Sequence, residues 1–101
     1  MDALRGTDDA GQVADPLHSA NLRTLLEQAP AFVLVESPAG ASARAERLGA
    51  ERWSVLVRPA GSPEATVAEV PNTDAAFDLL RSWVADDGWW AEAFSWRPVP
   101  G

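Results

Sequence analysis

The sequence predicts an α+β fold: a four- to five-stranded, mainly antiparallel meander with two helices, the long C-terminal helix packed on one face. Three observations carry this. Short runs rich in β-branched and aromatic residues recur between positions 31 and 70, separated by Pro- and Gly-bearing turns that leave no room for crossover helices. Two other segments repeat apolar residues at three- and four-residue spacing, the period of a helix. Four of the five tryptophans and two of the three phenylalanines fall between Thr73 and Val99, where a helix, a glycine break, an aromatic turn and a closing strand follow one another.

In chain order, residues 1–14 show no sustained periodicity and are rich in Asp and Gly, so a disordered tail is expected there, with residues 15–101 forming a single α+β domain. Asp15-Pro16 reads as an N-cap followed by the first helical position. The helix then runs to about Ala29, stopped by Pro30, with Leu22, Leu25, Leu26 and Ala29 on its apolar face and Leu17 at its edge. Ala31 to Glu36 is a nearly continuous apolar run between two prolines, the pattern of a central strand. Pro38 to Ser42 is a turn. Ala43 to Leu48 fits either a strand or a helical turn, because Ala, Arg and Glu favour helices. The neighbouring strand and Gly49 favour a hairpin partner.

Arg52 to Arg58 alternates cleanly, Trp53, Val55 and Val57 on one side. After the turn Pro59 to Pro63, Ala65 to Val70 is a fourth strand, ended by Pro71. Asn72 and Thr73 are both good N-caps for the long helix, whose stripe is Ala76, Phe77, Leu80, Trp83 and Val84. Leu79 lies at the margin, and Asp78, Arg81, Ser82 and Ala85 fall on the other side. Gly88 suits the left-handed residue that ends a helix. Ser95 to Val99 is a short strand that Pro98 confines to a sheet edge.

Composition narrows the function classes. Fifteen acidic residues oppose eight basic ones, all Arg, for a net charge of −7. That opposes nucleic acid and anionic membranes as partners; it suits a basic protein partner, though solubility alone would also explain it. With no cysteine, disulfides, thiolate metal sites and a cysteine nucleophile are excluded, which fits a reducing cytoplasm. No apolar run approaches the roughly 20 residues that span a bilayer, and the N-terminus does not have the make-up of a secretory signal.

No motif marks catalysis, and no cofactor or metal is expected. His18 is the lone histidine, without an orienting group or a second ligand at recognisable spacing. Asp86, Asp87 and Glu92 cluster, but in no calcium-loop pattern. The glycines Gly40, Gly49, Gly61 and Gly88 are isolated, and no GxSxG occurs. Asp86 and Asp87 also sit where the helix dipole disfavours negative charge. Either Asp87 caps a second short helix starting at Trp89, or the pair belongs to an acidic contact surface. The adjacent Trp89 and Trp90 cannot both enter a core from one regular element. A binding reading needs Trp90 at the surface, like an interface hot spot. The alternative has Trp89, Phe94 and Trp96 plugging the end of the sheet, with Trp90 as a lid on the helix.

The closing pattern of helix, acidic break, Trp89 and Trp96-Arg97-Pro98-Val99 resembles small hypothetical proteins of high-GC bacteria, some grouped with polymorphic-toxin immunity proteins of the Imm type. The likeness spans residues 52–99, and the all-Arg, Ala-rich composition fits such genomes. It implies a protein that neutralises a partner by binding it, without catalysis, and it transfers no particular residue. The resulting expectation is a cytoplasmic, non-enzymatic protein-binding module, of immunity type, for a basic partner such as a toxin, with Asp86, Asp87, Trp90 and Glu92 as the contact residues. A small-ligand domain with a Trp-lined pocket and a homodimeric structural subunit are the alternatives.

Overall fold

The structure, a computed structural model, describes residues 4–15, 17–38, 40–61, 64–85 and 87–99. Along the chain run β1 (Arg5–Asp8), β2 (Val13–Ala14), α1 (Ser19–Gln28), β3 (Phe32–Glu36), β4 (Ser42–Arg47), β5 (Trp53–Arg58), β6 (Ala65–Val70), α2 (Thr73–Ala85), α3 (Trp89–Ala93) and β7 (Arg97–Val99). The strands form one antiparallel sheet in the order β2-β1-β3-β4-β5-β6-β7. The α+β class and the antiparallel meander are therefore present. The counts are larger than expected: seven strands instead of four or five, and three helices instead of two, among the described residues.

The additional strands at one end come from the segment expected to be a tail. Residues 5–8 pair with Val33 to Glu36 of β3, and β2 pairs back on β1. Asp8 closes the turn between them: its Oδ1 accepts the N–H groups of Ala10 (3.0 Å) and Gln12 (2.8 Å). Gly6 lies beneath α1 so closely that a Cβ there would stand 2.9 Å from Cδ1 of both Leu17 and Leu25. These residues carry little strand propensity of their own, so the pairing is imposed by β3 and by the helix above.

Both long helices lie on one face of the sheet and touch each other, α1 over β1, β2 and β3, α2 over β5 and β6. β4 runs beneath their seam, where its fully buried Ala43 and Ala45 leave room for both. The ambiguous segment is thus a strand; pairing on both sides overrides the helical preference of Ala, Arg and Glu. Trp53, Val33, Val35, Val55, Leu22, Leu26, Leu79 and Leu80 fill the core between sheet and helices.

α1 starts later than Asp15 predicts. Its N-cap is His18, whose Nδ1 accepts the Asn21 N–H while Asn21 Oδ1 accepts the His18 N–H, a reciprocal capping box. Pro16 lies outside the described residues. The expected apolar face of α1 is buried, Leu17 included. α2 begins where expected, with Asn72 Oδ1 accepting the Ala75 N–H at 2.7 Å. Its buried face is rotated from the expected stripe: Ala76, Leu79, Leu80 and Ser82 are buried, whereas Phe77, Trp83 and Val84 are half-buried against the core. The reason is that α2 has neighbours on three sides, the sheet, α1 and α3, and α3 covers the side holding Ser82.

Candidate functional site

The α2–α3 junction gathers the residues singled out in the sequence. Gly88 adopts a left-handed conformation (φ 82°), which a residue with a Cβ rarely takes, and so turns the chain from α2 into α3. Ser82, one turn before the end of α2, fastens that turn. Its hydroxyl donates to Asp87 Oδ1, and its Oγ accepts the Trp90 N–H at 3.0 Å. Asp87 Oδ1 also accepts the Trp89 N–H at 3.0 Å. Asp87 thus satisfies a free amide at the start of α3, where the helix dipole favours its charge instead of opposing it. The Ser82 hydroxyl, and after it the Trp89 N–H, hold the carboxyl below the ordinary aspartate value of 3.8.

The two adjacent tryptophans divide their roles in the reverse of the binding expectation. Trp90 is half-buried against the core, its ring edge-to-face with Trp96 at 5.4 Å, and Trp96 Nε1 donates to the Trp90 carbonyl. Trp89 is the outward indole, 47% exposed, steadied edge-to-face by Phe94 at 5.6 Å. A shallow groove of about 370 Å³ opens beside it, lined by Asp78, Arg81, Ser82, Ala85, Asp87 and Trp89. Within that lining Arg81 pairs with Asp78 at 3.5 Å. Glu92 is exposed in the first turn of α3, one turn on from Trp89. Asp86 lies outside the described residues. The structure therefore brings Asp87, Trp90 and Glu92 to one corner and adds Trp89, Asp78 and Arg81. The sequence signal for the additions is the helical spacing of Asp78 and Arg81 from the acidic break.

A second groove, of about 430 Å³, lies where the end of α1 meets the start of α2, among Arg23, Glu27, Arg47, Glu51, Asn72 and Asp74. Its arginines are occupied. Arg23 pairs with Glu27 and Asp74 and lies over the Phe77 ring. Arg47 donates to the carbonyls of Leu26, Ala29 and Ala50. Trp53, the one fully buried tryptophan, has Arg47 over its ring and its Nε1 donating to Thr73 Oγ1.

Among the described residues no group of three or more His, Cys, Asp or Glu could hold a metal ion, and His18 serves as a helix cap. No helix among them is long and apolar enough to cross a membrane. No family model, no curated protein and no solved structure matches this chain.

Proposed function

We propose that this chain is a non-enzymatic protein-binding module, an immunity-type inhibitor that docks a basic partner protein in the cytoplasm through the α2–α3 corner. The observation that supports it is an outward indole set among carboxylates: Trp89 with Asp78, Asp87 and Glu92 around it. A rigid aromatic at the centre gives affinity; carboxylates at the rim set orientation and speed the encounter with a positive surface. On this reading Trp89, the outward indole, is the anchor in place of Trp90, with Asp87 and Glu92 as rim contacts.

The test is co-expression with the toxin-like product of an adjacent gene, read as rescued growth, followed by affinity measurement on the purified pair. Trp89→Ala should weaken binding by at least about tenfold, the scale of an interface hot spot. Asp78→Asn with Glu92→Gln should slow association and flatten its salt dependence. Failure of the wild-type chain either to rescue growth or to bind would overturn the reading.

A further inference from the structure

The face of the sheet that the helices leave bare has the opposite electrostatic character from the rest of the chain. Register places Arg5, Thr7, Phe32, Leu34, Glu36, Arg44, Glu46, Ser54, Leu56, Arg58, Val67, Glu69 and Arg97 on it, alternating with the buried residues beneath the helices. With Arg52, which donates to Glu69, this face holds five of the eight arginines but only three of the fifteen acidic residues. Arg5 stands opposite Glu36 in the register. Among the described residues, Arg44, Arg58 and Arg97 form no ion pair. Arg44 is the register partner of Leu56, with its guanidinium 4.3 Å from the centre of the Phe32 ring on the neighbouring β3; Arg97 is the partner of Val67, itself buried, and Arg58 lies two residues from Leu56 along β5. Arg44 and Arg97 stand three strand spacings apart, roughly 14 Å.

The α2–α3 corner has the complementary layout, an outward Trp89 beside Asp78 and Asp87, with Glu92 in the same turn of α3 and Arg81 as the one basic residue, paired to Asp78. The geometry points to a second copy of this chain as the occupant of the bare sheet face: the Trp89 corner of one copy seats on the half-buried Leu56 of the next, its carboxylates facing Arg44, Arg58 and Arg97. Two different surfaces meet, so the contact is head-to-tail and does not close on itself by a two-fold axis. The sheet edges do not compete as pairing sites. β2 has two residues, and β7 has three, one of them Pro98. The inference uses the same corner as the proposed function but does not need a basic partner, and its failure leaves that reading standing.

Sedimentation velocity on the full chain tests it, over about a hundredfold range of concentration, since self-association follows mass action. At about 0.05 M salt the average mass should rise with concentration above the 10.8 kDa of one chain, and it should fall back to that value at about 0.5 M salt. Trp89→Ala should stay monomeric, and so should the triple variant Arg44→Gln, Arg58→Gln, Arg97→Gln. Each keeps one intact surface, so an equimolar mixture of the two should form a one-to-one dimer and grow no further. Circular dichroism checks that both fold; if the triple variant does not, Arg44→Gln with Arg97→Gln replaces it. A wild-type chain that stays at 10.8 kDa at low salt, or a mixture that stays monomeric, overturns the inference.

Discussion

A carboxylate beyond the C-terminal end of a helix ordinarily costs about 0.3–1 kcal/mol, because the backbone carbonyls there already carry negative charge. Asp87 avoids this by turning toward the next helix, where the Ser82 hydroxyl and the Trp89 N–H favour its ionised form. Its carboxyl is therefore held below the ordinary value. The native state takes up the proton less readily than the unfolded chain, so the stabilisation is present above the unfolded value and is lost as pH falls through the lower, native one. Asp9 acts in the same sense, held down first by the Phe32 N–H and also by that of Ala31. Asp87→Ala should thus melt at a lower temperature than wild type near pH 7, with the gap narrowing in acid as pH falls through the lowered native value and wild type loses the charge too. Thermal melts of the two proteins across that range check it; a gap independent of pH would mean the charge contributes nothing. Asp87 was legible because an Asp two residues before a new helix is a known cap chemistry. Trp89 was not distinguishable from Trp90, because a five-residue helix has too few turns for its periodicity to say which indole faces out.

At the scale of elements, α1 ends without help from its own sequence: its last turn holds no basic residue. Arg47, from β4, supplies the missing donors, with Nη2 to the Leu26 carbonyl at 3.1 Å and Nε to that of Ala29 at 3.3 Å. Its guanidinium lies 4.4 Å from the centre of the Trp53 ring, and Nη1 reaches Ala50 at 2.9 Å. One side chain therefore joins the end of α1, the β4–β5 turn and the core tryptophan. Arg47→Met keeps the apolar stem but leaves those carbonyls unpaired, and it should cost about 1–3 kcal/mol in urea unfolding with an unchanged slope. Lys should recover little of this, since a point charge cannot reproduce a planar fork that stacks and donates in three directions. A midpoint within error of wild type for Arg47→Met would refute that role. The contrast with β5 shows where a sequence is readable. Trp-Ser-Val-Leu-Val-Arg states its own alternation, whereas Ser-Ala-Arg-Ala-Glu-Arg in β4 is decided by the strands on either side.

For the whole molecule, residues 4–14 decide whether the sheet is closed at one end. Arg-Gly-Thr-Asp in β1 carries no apolar alternation, and the energy of placing it there resides in other residues, which is why a tail was expected. Leu17 and Leu25 pack onto Gly6, the Leu17 N–H donates to the Leu4 carbonyl at 2.8 Å, and β1 pairs with Val33 to Glu36 of β3. Removing residues 1–14 would leave the apolar run Phe-Val-Leu-Val as an unpaired edge and strip α1 of the surface under its leucines. A mobile tail could be cut without effect; an edge built as β1 is could not. The deletion should forfeit much of the roughly 5–15 kcal/mol that holds a domain of this kind, with a lower and broader urea transition and association through β3 that grows with concentration. Gly6→Val in the full chain should move stability the same way by about 1–3 kcal/mol, because its methyl groups enter space held by Leu17 and Leu25 while every other contact stays in place. If both proteins unfold at the wild-type midpoint, β1 contributes nothing to the sheet, and the edge of this molecule is β3.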